Sequence, residues 1–518
     1  MKKIILILTG LFFIFSLHTA LAKEEVPAAS AEKLKQALAD VESYAQRGLR
    51  DWQIPGMAVA IIQGDEVIFS KGFGIKDINT RAPVTEETVF QIGSTSKAFT
   101  TTLMAMLQDE GKFQWKDQVV NYLSDFMLYD PWVTREFQVW DLLAQHSGLP
   151  GYSADTVILC GFDRDYVRSI IRYIKPVASF RAEYAYQNHL FLVAAELLEK
   201  LSGRSWEDNV KERIFQPLGM ASSSVDLLSF QRATDVASVH IKSKDKVIAL
   251  PMDWKYMDWV YKYGPAGGIN SNIKDMAKWV KFQVNSGAVS GKQLVSRENM
   301  QFLRSPKTIM DADYEGHKIY YCQGWLYMED QPYSIVWHNG GTTGMKTMVA
   351  FIPEAKIGLV ILSNLITPFP ELLAMRFFDQ YFGKPVKDAS AEALAKEKKQ
   401  AAEAEAKLPK RPEHPLAAMP LEKYSGIYSN PVYGKIKVEA RDDALTVTGG
   451  PRQMQLLLTH WDKDMFSESC PDFYFEDSGE VFAKFEVGPD NKVTGLTIDS
   501  LNKDGCGVFI KEELDKEK

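Results

Sequence analysis

The stretch Val89-Phe90-Gln91-Ile92-Gly93-Ser94-Thr95-Ser96-Lys97-Ala98-Phe99-Thr100-Thr101-Thr102-Leu103-Met104-Ala105-Met106-Leu107 decides how this chain is read. Val89 to Gly93 reads as a strand ended by glycine, and Ala98 to Leu107 as an apolar helix. The junction puts Ser94 at a helix N-terminus with Lys97 one turn later on the same face. There, unpaired backbone N–H groups and the positive end of the helix dipole favour developing negative charge. A serine becomes a useful nucleophile only with a base in hydrogen-bond reach, and burial of Lys97 would lower its pKa toward a base's working range.

The Ser-x-x-Lys spacing alone is weak, since it occurs five times, at Ser30, Ser94, Ser243, Ser271 and Ser500. Ser30 and Ser271 read as helix caps, Ser243 as part of a charged loop and Ser500 as a turn residue. Acyl transfer also needs a second acid/base group and an oxyanion hole. Tyr186-Gln187-Asn188 offers a phenol and an amide that can face one cavity if it forms an irregular loop before a helix from Leu190 to Leu201. His338-Asn339-Gly340-Gly341 follows a strand-like Tyr333 to Trp337 and supplies an imidazole and two glycines, where backbone can approach a substrate closely. Each pattern has a rival copy: Tyr428-Ser429-Asn430 lies near the C-terminus, and His146-Ser147-Gly148, before Leu149-Pro150, reads better as a turn.

Outward from this centre, Ser30 to Leu49 carries apolar residues at helical spacing, stopped by Pro55-Gly56. Met57 to Ile62 and Val67 to Phe69, joined by Gln63-Gly64-Asp65-Glu66, read as a β-hairpin. A similar hairpin recurs with Met348 to Ile352 and Gly358 to Leu362. The chain between is mainly helical and loop-rich, which predicts one antiparallel sheet built from both ends of a domain with a helical insertion between.

The ends have a different character. Lys2-Lys3, an apolar run from Ile4 to about Leu17 and Ala20-Leu21-Ala22 have the order of a secretory signal peptide, so residues 1–22 are expected to be removed and the protein to be secreted or periplasmic. A membrane anchor is the alternative, but Ser16, His18 and Thr19 end the run short of the roughly 20 residues a span needs. No later segment is long and apolar enough to span a bilayer. Residues 23–385 form the expected main domain. Residues 386–415 read as a linker: Asp388 to Lys407, almost wholly Ala, Glu, Lys, Gln and Ser, favours a solvated helix, and Pro409, Pro412 and Pro415 follow it. Residues 416–518 alternate polar and apolar positions, as in Lys435 to Glu439 and Ala444 to Thr448, and predict a small all-β domain.

Composition narrows the function classes. With 518 residues, two domains are expected, and 46% hydrophobic residues with 11 tryptophans can build large cores. The formal charge of −7 becomes −9 without Lys2 and Lys3, with no basic tract, which argues against a nucleic-acid partner. Of four cysteines, Cys470 and Cys506 share the C-terminal segment, where a bridge and unpaired burial are both open. No metal-ligand spacing occurs, so neither metal nor cofactor is expected. A homo-oligomer is compatible with the sequence.

Taken in order, Ser94-x-x-Lys97, Tyr186-x-Asn188 and His338-x-Gly340 resemble the serine β-lactamase and penicillin-binding-protein superfamily. Leu142 to Pro150 and Gly264-Pro265-Ala266-Gly267-Gly268 look like its recurring loops, and the resemblance covers about residues 30–385. It implies an α/β (α+β) domain, with an antiparallel sheet flanked by helices and a helical subdomain. The C-terminal part resembles, less specifically, the small lipocalin-like barrels that come after such domains.

The resemblance further implies that Ser94 attacks a carbonyl, Lys97 takes its proton, and Tyr186 relays protons to the leaving group and later activates water. Asn188, His338 and Gly340 would bind substrate, with the oxyanion in the N–H groups of Ser94 and Gly341. His338 stands where β-lactamases carry a permanently charged Lys, and a His is mostly neutral near pH 7. Efficient β-lactam hydrolysis is therefore not expected. The His-x-Gly variant resembles the esterases, D-aminopeptidases and D-stereospecific peptidases of the same fold, which implies hydrolysis of small esters or of peptides with D-residues or cell-wall origin over a D,D-carboxypeptidase or weak β-lactamase. A non-catalytic penicillin-binding or scaffolding protein would be expected to have lost Ser94, Lys97 or Tyr186, and all three are present. Trp254, Tyr256, Trp259, Tyr261 and Tyr263 read either as an aromatic wall over the acyl pocket or as ordinary loop packing.

Overall fold

In a computed structural model the described residues are 31–243, 246–314, 316–330, 333–470 and 481–513, so the expected signal peptide and Ser30 lie outside them. Gly64, at φ +57, closes the first hairpin between Gly56–Gln63 and Glu66–Gly74. That hairpin does not stand alone. Gly56–Gln63 pairs antiparallel with Ile357–Ser363, from Met57 opposite Ser363 to Gln63 opposite Ile357.

The result is an eight-stranded antiparallel sheet in the order Glu66–Gly74, Gly56–Gln63, Ile357–Ser363, Lys346–Ile352, Tyr333–Gly341, Leu326–Asp330, His317–Tyr321, Thr308–Tyr314. Its central strands are apolar on both faces because both are covered. Val59, Ile61, Met348, Ala350, Leu359 and Ile361 pack with Tyr44, Leu373 and Phe377 of the helices Ala31–Asp51 and Phe369–Phe382. Ala58, Ala60, Val349, Phe351, Val360 and Leu362 face the other way, into the core that holds Phe99 and Leu103 of Ser96–Asp109 and Trp279 and Val280 of Ile273–Val284. The insertion between Glu66–Gly74 and Thr308–Tyr314 carries most of the helices, so the expected α/β architecture is the one observed.

Some local expectations need correction. Val89 to Gly93 is not a strand of the main sheet: Phe90–Gln91 pairs with Asn270–Ser271 in a separate two-stranded ribbon, and Val89 forms a single parallel bridge with Val236. Ser271 is therefore a strand residue, and the cap is Asn272, whose side chain accepts from the Asp275 amide. Ser243 ends the strand His240–Ser243, paired with Lys246–Ala249, rather than lying in a loop. Cys470 and Cys506 form no disulfide; Cys506 is buried and Cys470 half-buried.

The helix Ala389–Ala406 starts against the main domain, where the Trp52 indole donates to Ser390 Oγ at 2.8 Å, and is exposed from residue 395 onward. Beyond it, eight antiparallel strands from Gly426–Asn430 to Val508–Lys511 form a closed barrel, sealed by pairing of those two strands. Tyr424, Tyr428, Phe466 and Phe485 are buried in mutual ring contact, with Tyr424 and Phe485 4.7 Å apart, so aromatic side chains pack the inside of the barrel. The second Tyr-x-Asn is part of this packing: Tyr428 donates to the Tyr424 carbonyl, and Asn430 accepts from the Val432 and Tyr433 amides. None of the helices among the described residues is long and apolar enough to cross a membrane.

Candidate active site

The site grows from a tight turn. After Phe90–Gln91 the chain passes Gly93, at φ +53, into the 3-10 turn Gly93–Thr95 and then the helix Ser96–Asp109, so Ser94 sits in the turn just before the helix. Two glycines let the strand Tyr333–Gly341 lie against this turn. A Cβ on Gly93 would stand 2.7 Å from the Gly341 amide nitrogen, and one on Gly340 would stand 2.0 Å from the Ile92 carbonyl oxygen and 3.1 Å from the Ser94 nitrogen. No side chain fits in either place. The amides of Ser94 and Gly341, expected to form the oxyanion hole, are thereby brought alongside one another.

Lys97 is fully buried and donates to Asn188 Oδ1 at 2.6 Å, to the Ala266 carbonyl at 3.0 Å and to Ser94 Oγ at 3.4 Å. Burial pushes its pKa down to about 7, against the pull of the Asp155 carboxylate. The geometry then decides what a neutral amine does. Asn188 Oδ1 and the Ala266 carbonyl can only accept, so they take the two remaining N–H groups and the lone pair is left for the Ser94 hydroxyl. The recurring Gly264 to Gly268 loop has its reason here, since the Pro265 carbonyl also accepts from Thr100 Oγ1 at 2.7 Å.

Tyr186 and Asn188 precede the helix His189–Ser202, as the sequence predicted. Lys97 Nζ stands 4.6 Å over the Tyr186 ring, which places the phenol side chain beside the Ser94–Lys97 pair. Burial and the neighbouring Tyr321 hold the phenol well above its usual pKa, so it is a neutral donor. Between them, Gln187 points away and fixes the loop. Its amide donates to the Leu149 and Pro150 carbonyls, while its backbone N–H donates to Gln145 Oε1 at 2.6 Å. The Leu142 to Pro150 stretch is thus the support of the Tyr186 loop, and His146, paired with Asp141 at 2.8 Å, belongs to that support.

His338 is buried beside Tyr186, its ring centroid 6.4 Å away and its Nε2 3.3 Å from the Tyr321 hydroxyl. Burial, then repulsion from Lys97, lowers its pKa to about 3, so it is a neutral imidazole. The cation nearby, Lys346, is engaged with Glu371 at 2.6 Å.

The sequence reading missed Asp155. Its Oδ2 accepts from Asn188 Nδ2 at 2.7 Å, which fixes the amide that faces Lys97. A position just after the Leu149-Pro150 loop is the one hint the sequence offers. The aromatic segment divides between its two readings. Tyr256 is core, Tyr261 hydrogen-bonds Gln91 and Asn270, and Tyr263 lies against Asp155 with its hydroxyl donating to the Ala154 carbonyl at 3.3 Å. Trp259 comes closest to a wall, donating to Thr343 just past Gly341. Among the described residues no group of three or more His, Cys, Asp or Glu is placed to hold a metal.

Residues 410–513 match a domain of unknown function, DUF3471. The unguisins hydrolase of Aspergillus campestris is 31% identical over 351 residues, 65% of this chain and 62% of that protein, so the match spans less than two thirds of the relative's own length. That of Aspergillus violaceofuscus is 27% identical over 79% of this chain and 78% of its own. The protein flp of Staphylococcus aureus (strain COL) is 22% identical over 64% of each. An octameric penicillin-binding protein homologue from Pyrococcus abyssi shares the fold, with a TM-score of 0.60 at 23% identity over 91% of this chain and 99% of its own. The family described as Beta-lactamase matches residues 41–380, more than half of the chain, and this protein belongs to that family.

Proposed function

We propose that this protein is an exported serine hydrolase that works through an acyl-enzyme on small esters or on amides and peptides, including those with D-residues or of cell-wall origin. The observation that carries the reading is Lys97, a buried amine with a pKa near 7 whose two other partners accept only and leave its lone pair for Ser94. Relatives named as hydrolases support it.

In this reading Lys97 takes the Ser94 proton as Oγ bonds to the substrate carbonyl carbon, and the oxyanion that forms is held by the Ser94 and Gly341 amides. The proton passes through Tyr186 to the leaving alcohol or amine as its bond to carbon breaks. A water then attacks the acyl carbon, gives its proton back along the same path to Ser94, and the acid leaves. His338, neutral and hydrogen-bonded to Tyr321, offers no charge to a carboxylate, and Lys346 is held by Glu371. That favours esters and peptides over β-lactams.

The test is intact mass after exposure to a fluorophosphonate. One adduct on the wild type, lost in Ser94→Ala, supports the reading; no adduct on folded wild type overturns it. The Lys2-Lys3 and Ile4 to Leu17 pattern supports export, and a mature protein beginning near Lys23 would test that.

A further inference from the structure

Asn188 reaches Lys97 with its oxygen because its nitrogen is committed elsewhere. Asn188 Nδ2 donates to Asp155 Oδ2 at 2.7 Å, and a carboxylate can only accept. The amide is therefore locked with its carbonyl toward the Lys97 amine.

Asp155 is itself held by an unusual piece of chain. Tyr152 and Ala154 have φ of +57 and +60, a left-handed conformation that non-glycine residues adopt only when surrounding bonds enforce it. From the main domain, the Tyr152 amide donates to the Tyr186 carbonyl at 2.7 Å and Ser153 Oγ donates to Gln187 Oε1 at 3.0 Å. From the barrel, Asp504 Oδ2 accepts the Ala154 amide at 2.8 Å, while Asp504 Oδ1 accepts the Cys506 amide of its own turn. The barrel also grips the residues just after Asp155. Tyr433 is hydrogen-bonded to Thr156, and the Arg452 amide donates to the Cys160 carbonyl at 3.0 Å, with Arg452 paired to Asp258 at 2.6 Å. The short helix Asp155–Leu159 is thus fastened to the barrel at both ends.

We propose that Asp155 is a positioning residue for Lys97, acting through Asn188, and that the C-terminal barrel, through Asp504, holds Asp155 in place, so that the barrel is a structural part of the active site. The inference rests on the serine-hydrolase reading. Burial pushes the Asp155 carboxyl up to about 7, opposed by Asn188 and Lys97. The groups that face this pair are Tyr152 on the same loop, Tyr263, Asp504 of the barrel, and Tyr186 and His338 on the Lys97 side. Apart from Lys97 itself none of these is a cation, so Asp155 is the negative partner that keeps the lysine pKa from falling further.

The experiment measures the rate of fluorophosphonate labelling of the full-length protein from pH 5 to 9, with melting temperature recorded for each variant. Asp155→Asn keeps an acceptor for Asn188 but removes the charge. Its high-pH rate should stay within about threefold of wild type while the acid limb moves down by about half a pH unit or more. Asp155→Ala removes the acceptor, and its high-pH rate should fall at least about tenfold. Asp504→Ala, altered only in the barrel, should lower the high-pH rate about fivefold or more. Wild-type limbs and rates in Asp155→Asn and Asp504→Ala overturn the proposal, as does a rate that falls only in proportion to the unfolded fraction. If Asp155 variants do not fold, Asp504→Ala alone decides. Absence of labelling in wild type sinks the serine-hydrolase reading itself, a result distinct from labelled wild type with indifferent variants.

Discussion

Lys97 Nζ lies 2.6 Å from Asn188 Oδ1, and the two residues come from segments 91 positions apart in the chain. The contact does two things. It replaces some of the hydration that a buried amine loses, and it spends an N–H group on an obligate acceptor, so a neutral amine there has one free direction. With the Ala266 carbonyl taking a second N–H, that direction is Ser94.

Removing the amine should therefore remove acylation while leaving the fold. Lys97→Ala is expected to slow fluorophosphonate labelling by about 10²–10⁴-fold, the usual worth of a general base. Stopped-flow or timed mass spectrometry measures it, and labelling within tenfold of wild type would exclude Lys97 as the base.

Activity should depend on pH through the same group. Lys97, lowered to about 7 by burial, is a base only when deprotonated, so kcat/KM should rise with pH up to about 7 and level off above it. Stability should respond with a definite sign. The unfolded lysine, near pH 10.5, binds a proton that the folded one has lost, so the penalty for burying it is full below about 7 and fades as pH rises toward 10.5. The acid limb should be unmoved in His338→Gln, because that imidazole is already neutral throughout, its pKa lowered to about 3. A limb that vanishes with His338 would reassign it.

Gly340 and Gly341 should respond differently to alanine. A Cβ on Gly340 would stand 2.0 Å from the Ile92 carbonyl oxygen, whereas nothing lies within 4 Å of one on Gly341. Gly340→Ala is expected to push the strand off the Ser94 turn and cost about 10²-fold or more in acylation, as the loss of an oxyanion donor does. Gly341→Ala keeps its amide, and its stability should stay within about 0.5 kcal/mol of wild type. Equal behaviour of the two would argue against this placement of the oxyanion hole.

One stability prediction runs against helix propensity. Gly48 lies inside the helix Ala31–Asp51, where alanine ordinarily stabilises by about 0.5–1 kcal/mol. Here its Cβ would stand 1.9 Å from the Phe369 ring, so Gly48→Ala should destabilise by about 1–3 kcal/mol through overpacking. Urea unfolding of Gly48→Ala beside Gly48→Ala/Phe369→Leu separates the two effects, since the smaller side chain should recover much of the loss.

Hydrophobic pattern and turn chemistry determined the elements: the two hairpins, the helix after Ser94, the helix after Asn188 and the all-β character past residue 416 are local signals, and local forces formed them. Ser94, Lys97, Tyr186, Asn188, His338 and Gly340 were legible because their spacing and order are properties of the chain. What the tertiary structure decided is everything that needs two distant segments. Phe90–Gln91 pairs with Asn270–Ser271, 179 or more residues further along the chain, instead of joining the main sheet. Asp155 becomes a partner of Asn188 only because the turn at Tyr152 and Ala154 is braced from the barrel by Asp504, 350 residues beyond Ala154. The Lys97 pKa is likewise no property of the lysine but of the burial around it. Periodicity reports which face of an element is apolar; hydrogen bonds and desolvation between elements depend on packing geometry that no local pattern encodes.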